Sequence, residues 1–307
     1  MKIEYAIIVK NKTRLEALIE RFNTKAQAKF YIESLGGDFE DYEKENEQFH
    51  QALSMVQMQL SSVLKYKIID RSFLPSFLFY PQHLIIVIGQ DGLVANTAKY
   101  AKNCPIIAIN PDKERYDGVL LPFEVQNFLR GVEGVRAEKY EAQRLSFAEA
   151  KLNNGQRLLA FNDLFIGAAS HVSARYKIAF SGKEEEHSSS GLIVSTKAGS
   201  TGWLSSIFNM AYSVAGLFEG NLQIKQPQLA EDDLLFAVRE PFKSIKTQTN
   251  ITIGKIRHQN RLTIESLMPN NGVIFSDGIE KDFLPFNSGA KVEIGVAKER
   301  AILVNNN

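Results

Sequence analysis

At 307 residues the chain is long enough for roughly two domains of about 150 residues each. Its apolar share of 44% and charged share of 23% are those of a folded globular protein and exclude global disorder. Lys and Arg total 36 against 35 for Asp and Glu, and a net charge of +1 offers no basic footprint for nucleic acid or an anionic membrane.

In chain order, Tyr5–Val9 is a short apolar run bounded by Lys-Asn-Lys and reads as a buried strand. Leu15, Leu18, Ile19 and Phe22 recur on one helical face, and Thr24 caps a second helix that stops at Gly36-Gly37. The polar, acidic stretch 37–48 reads as a solvated turn with a first helical turn, leading into a third helix through Phe49, Leu53, Val56, Leu60 and Val63. Strands follow at Tyr66–Ile69 and Leu84–Ile88, the second wholly apolar as a parallel strand covered on both faces should be. Gly89-Gln90-Asp91-Gly92 then opens a helix, and Pro105–Ile109 is the next strand, which completes a βαβ unit. Cys104 is the single cysteine, which excludes an intrachain disulfide and a multi-cysteine zinc site and fits a cytoplasmic protein. The start at Met1-Lys2-Ile3-Glu4-Tyr5 lacks the apolar core of a leader, and no run reaches the ~18 apolar residues of a membrane helix, so a soluble protein is expected.

Past Gly131 the texture changes to short apolar or β-branched runs at 158–166, 177–180, 192–195, 234–238, 251–256, 262–267, 273–275, 292–294 and 301–304. One helix interrupts them, starting near Thr201. The expected organisation is an open α/β domain over 1–130, mostly parallel with flanking helices, followed by a β-rich domain over 131–307. His187, after Glu184-Glu185-Glu186, is placed in a solvated hairpin loop.

Three segments carry possible chemistry. A glycine turn between a buried strand and a helix exposes backbone N–H groups at a positive dipole end, which suits phosphate. An Asp there repels phosphate but suits a hydroxyl, so Asp91 is either a base that orients an attacking alcohol or a plain helix N-cap. In the segment from Ser195 to Trp203, a strand runs into Thr196-Lys197-Ala198-Gly199-Ser200-Thr201. Its glycine permits close approach and its hydroxyls can bind phosphate or a base edge. The alternative is a Ser/Thr-capped helix with Trp203 in the core. Asn162-Asp163 interrupts an apolar strand, and since adjacent strand residues face opposite ways, a bulge, a turn or a ligand must intervene unless the pair is satisfied internally. No P-loop, nucleophile elbow or histidine metal spacing occurs.

Taken together, these segments resemble the NAD kinase family, which has a Gly-Asp-Gly turn after a strand, an Asn-Glu pair and a Thr-x-x-Gly-Ser-Thr loop. The late Ser276-Asp277-Gly278 is a further match to the family, and the segment 107–118, Ser189-Ser190-Gly191 and Trp203 are similar to its mitochondrial-type branch. The resemblance implies an α/β domain and a β-rich domain with the site between them, and transfer of the ATP γ-phosphate to the 2′-hydroxyl of NAD. It also implies Mg²⁺ travelling with the nucleotide, and a homo-oligomer. It places Asp91 at the 2′-hydroxyl, Gly89 and Gly92 at the phosphates, Asn162 and Asp163 at adenine or ribose, and Thr196, Gly199, Ser200 and Thr201 along the dinucleotide. Gln90, Asn110, Arg175, Lys197 and Trp203 are further candidates. Departures from the family pattern are Gln90 for a glycine, Leu93 for a threonine, Asp163 for a glutamate and Lys197 for a proline. They leave room for another hydroxyl acceptor (a sugar, nucleoside or lipid) or for a non-catalytic nucleotide-binding protein.

Overall fold

The computed structural model describes residues 3–218 and 226–306, with backbone alone for Lys281. The chain forms two compact units, Met1–Arg144 with Ala301–Asn307, and Leu145–Arg300.

The first unit contains β1 (Tyr5–Lys10), α1 (Arg14–Phe22), α2 (Lys25–Ser34), α3 (Phe39–Ser61), β2 (Tyr66–Asp70), β3 (His83–Ile88), α4 (Asp91–Tyr100), β4 (Pro105–Ile109) and α5 (Phe128–Arg136). Its strands pair in parallel in the order β2-β1-β3-β4. Every residue of β4, and all of β3 but His83, is buried, which explains their unbroken apolar sequences. Phe128, Val132 and Val135 of α5 share a core with Ile107 and Ile109, and this packing carries the unit past residue 130. The acidic stretch 37–48 differs from its expected turn: α3 already begins at Phe39. Asp38 caps it, Glu40 and Asp41 sit where the helix dipole favours negative charge, and the buried Glu45 pairs with Arg14.

The second unit begins within β5 (Ala142–Leu152) and continues through β6 (Arg157–Ala160), β7 (Asp163–Ala168), β8 (Ala174–Phe180), β9 (Lys183–Ser189) and β10 (Leu192–Ser195). After α6 (Trp203–Ala215) come β11 (Leu234–Val238), β12 (Ile253–Ile256), β13 (Leu262–Ser266), β14 (Gly272–Ser276), β15 (Ile279–Pro285) and β16 (Lys291–Val304). One antiparallel sheet runs β12-β11-β10-β7-β14-β15. Its even-facing residues Leu164, Ile166, Leu192, Val194 and Ile274 share a core with Tyr176, Ile178, Ile264 and Ile294 of the β16-β13-β8-β9 layer. Its other face, with Phe165, Ile193 and Leu235, is covered by Leu204, Ile207 and Phe208 of α6. The two short runs expected at 292–294 and 301–304 are one strand, whose last residues leave the second unit to pair in parallel with β4.

The acidic run 184–186 is not a loop. It lies in β9, the hairpin turn is Ser181-Gly182, and His187 is fully buried against Tyr176 with its Nε2 3.0 Å from Glu185. An edge strand can carry acids on its outward side while its alternate residues face the core. Among the described residues no helix is long and apolar enough to cross a membrane.

Candidate nucleotide site

In the first unit the chain leaves β3 through Gly89, whose φ of +153° and whose Cβ position, 3.0 Å from Leu93 Cδ2, both favour glycine. Gln90, not Asp91, occupies the N-cap of α4, and it makes no side-chain capping bond. Its side chain instead interacts with the Tyr116 hydroxyl. Asp91 is thereby freed from capping. Its Oδ1 accepts from the Leu120 amide at 2.8 Å and its Oδ2 from the Val119 amide at 3.2 Å. A carboxylate has about four lone-pair positions, so such a group is oriented while retaining capacity for a hydroxyl proton. Gly92 follows with open space where a Cβ would be. The dipole of α4 favours negative charge at this end.

The loop that grips Asp91 is itself fastened. Asn110, at the end of β4, donates from Nδ2 to Tyr116 O at 3.0 Å and accepts from the Asp112 amide at 2.9 Å. Asp112 accepts from the amides of Glu114 and Arg115. Arg115 reaches Asp41 of α3 at 2.5 and 3.2 Å. The Arg115 and Arg14 guanidiniums hold the Asp41 carboxyl well below the usual carboxylate range.

In the second unit, the single strand expected over 158–166 is broken between β6 and β7 at Phe161-Asn162. The break is filled from elsewhere in the sequence. Asp277, in the left-handed turn between β14 and β15, accepts from the amides of Phe161 (3.1 Å), Asn162 (2.6 Å) and Asp163 (3.3 Å). The Thr196 loop closes on the same bend. The Thr196 amide donates to Asn162 O at 2.9 Å, and its hydroxyl donates to Phe161 O at 2.5 Å and accepts from the Gly199 amide at 3.2 Å. A Cβ at Gly199 would stand 2.2 Å from Asn162 O, so the contact requires glycine. Burial, with the charge of Asp277, pushes the Asp163 carboxyl up to about 7.

The structure thus brings together Asn162, Asp163, Thr196 and Gly199 in one unit, and Gly89, Gln90, Asp91, Gly92 and Asn110 in the other. Thr201 ends a 3-10 turn before α6, which starts at Trp203 rather than at Thr201. The Ser200 hydroxyl donates to Lys197 O, and Lys197 pairs with Glu231 at 3.3 Å. Arg175 pairs with Glu186 on the exposed side of β8 and β9, and no hydrogen bond joins it to the Thr196 loop. Trp203 stacks on Phe165 at 5.7 Å with Arg239 5.4 Å from its ring centre, beside a cavity of about 780 Å³ that Phe275 and Phe283 also line.

Asp277 holds this bend together, and the local pattern concealed its partners, which lie 114 to 116 positions earlier. The available signals were the family resemblance of Ser276-Asp277-Gly278 and the Asp-Gly pair itself, a turn dipeptide between two apolar runs.

The first unit is thus a βαβ layer with a glycine-aspartate turn, and the second a β-rich unit with a hydroxyl-rich loop. Two solved structures share this fold. Yeast NADH kinase, crystallised with NADH, matches with a TM-score of 0.60 at 15% identity over 100% of this chain and 84% of its own. An NAD kinase from Archaeoglobus fulgidus, in complex with ATP, matches with a TM-score of 0.54 at 16% identity over 99% of this chain and 94% of its own. No protein-family model and no curated protein sequence matches the chain. The chain has the NAD kinase-like fold.

Proposed function

We propose that this protein is a nucleotide phosphotransferase that moves the γ-phosphate of ATP to the 2′-hydroxyl of NAD or NADH. The observation that carries the reading is the environment of Asp91: a carboxylate at the first residue of a helix, after a glycine turn, gripped by two backbone amides rather than spent on a cap. Such a carboxylate can accept the proton of an attacking hydroxyl, which then bonds to phosphorus as ADP leaves. The helix dipole and the open space at Gly92 suit the approaching phosphate. In this reading Asn162, Asp163 and the Thr196–Thr201 loop hold the dinucleotide, and the ring stack of Trp203 and Phe165 offers a flat apolar surface beside it. The likeness to kinases crystallised with NADH and with ATP supports the substrate pair.

Among the described residues no group of acidic, histidine or cysteine side chains could hold a metal ion alone. Mg²⁺ is proposed to arrive on the ATP phosphates, where it neutralises charge. The test is NADP formation by the purified chain with ATP, Mg²⁺ and NAD, read by an NADP-specific dehydrogenase. Turnover that Asp91→Asn removes supports the reading. ATP consumption only with a different alcohol would replace NAD as acceptor, and saturable NAD binding without turnover would make the protein a nucleotide binder.

A further inference from the structure

Phe161 and Asn162 lie between two strands with no ladder partner of their own, and Phe161 is fully buried. Their amide donors would be costly to leave unpaired. Asp277 answers them from the β14–β15 turn, where Ser276 pairs across from Leu164 and the Asp277 amide donates to Asp163 O at 3.0 Å. Both Asp277 (φ +54°) and Gly278 (φ +69°) are left-handed, a conformation that Asn would adopt equally well. What Asn lacks is acceptor capacity. Three amides converge on the Asp277 side chain, and a carboxylate has about four lone-pair positions where an amide oxygen has two and an NH₂ that would face the donors.

We infer that Asp277 is a positioning residue: its carboxylate fixes the bend that presents Asn162 and Asp163 to the dinucleotide, and its charge sets how Asp163 meets that ligand. The inference rests on the proposed dinucleotide reading for its ligand and on the bend alone for its geometry. Asp163 is 8% exposed, sits across from the uncharged Ser195 on β10, and is acted on by the negative charge of Asp277. The burial and that charge both favour a neutral carboxylic acid, which donates a hydrogen bond. The bend therefore suits an acceptor on the ligand, such as a ring nitrogen, on the acid side of neutrality, and loses that donor as pH rises.

The test compares the full-length wild type with Asp277→Asn. Two readouts need no ligand: amide hydrogen exchange at Phe161, Asn162 and Asp163, and a carboxyl-carbon NMR titration of Asp163. The third is NAD affinity on both sides of pH 7. Expected in the variant are exchange faster by about tenfold or more, a downward move of the Asp163 midpoint, and NAD binding weaker by about tenfold with its pH midpoint moved the same way. A role confined to folding would move stability without moving either midpoint. Unchanged exchange with an unchanged midpoint overturns the inference. Wild-type protein that binds neither NAD nor NADH, while exchange and titration respond as stated, overturns the dinucleotide reading instead. Should Asp277→Asn fail to fold, Asp277→Ser, which keeps a smaller uncharged acceptor, carries the same comparison.

Discussion

Asp91 and Asp163 are the same side chain in opposite settings. Asp91 is half-buried and oriented by two backbone amides that it accepts from. Asp163 is buried, faces the carboxylate of Asp277, and is pushed up to about 7. Burial and the charge of Asp277 favour the neutral acid at Asp163, while the two backbone amides aim the Asp91 carboxyl group. In the proposed reading the labour is divided: the first unit offers an oriented carboxyl group to an attacking hydroxyl, and the second offers the ligand a group that holds its proton more tightly than usual.

The largest effect expected from breaking this contrast is at Asp91. Asp91→Asn should lower the rate of NADP formation by about 10²–10⁴-fold with little change in melting temperature, because shape is kept and the proton acceptor is removed. Steady-state kinetics beside thermal unfolding checks both halves of that statement.

Next come substitutions in the second unit's interlock. Gly199→Ala forces a Cβ to within 2.2 Å of Asn162 O, a backbone atom held in turn by the Thr196 amide. It should cost about 1–3 kcal/mol in urea unfolding and raise the KM for NAD more than that for ATP. Thr196→Val leaves Phe161 O and the Gly199 amide without their hydroxyl partner and should cost about 1–3 kcal/mol.

The pH dependence sharpens the same comparison. With its midpoint raised from 3.8 to about 7, Asp163 binds its proton more tightly in the folded state. Its contribution is therefore fully favourable below pH ~4 and is lost as pH rises through about 7, a change of a few kcal/mol at most. Glu185 runs the other way. Although burial raises it, hydrogen bonds from His187, Asn250 and Ile251 prevail and lower it to about 2, so its contribution is lost only in strong acid. Unfolding free energies near pH 5 and pH 8 should fall for the wild type and stay flatter for Asp163→Asn. The smallest effect belongs to Arg175→Ala, which removes an exposed ion pair with Glu186 and should change stability by less than about 0.5 kcal/mol and leave NAD affinity unmoved.

Legibility in the sequence followed the locality of the forces. The buried parallel strands were readable almost to the residue, since Leu84–Ile88 and Pro105–Ile109 must be apolar on both faces. The break at Asn162 was readable as a conflict between polarity and strand period, but not its resolution, which depends on Asp277. β5 escaped notice because Gln143 and Arg144 are exposed and only Ser146–Ala148 form a continuous buried stretch. β9 escaped because the outward acids of an edge strand have the composition of a loop. In the site, the glycine-aspartate turn and the Thr196 loop carried local signals of their own. The amides of Val119 and Leu120 that aim Asp91 did not, because no side chain encodes them.

The central claim is transfer to one particular oxygen, and the most direct measurement follows the phosphate. The wild-type chain is incubated with γ-labelled ATP, Mg²⁺ and NAD, and the labelled product is located by phosphorus NMR and chromatography. The account predicts label on the 2′-oxygen of the adenosine ribose, absent from the product mixture of Asp91→Asn. Label confined to inorganic phosphate, or carried by NAD at another position, would contradict it.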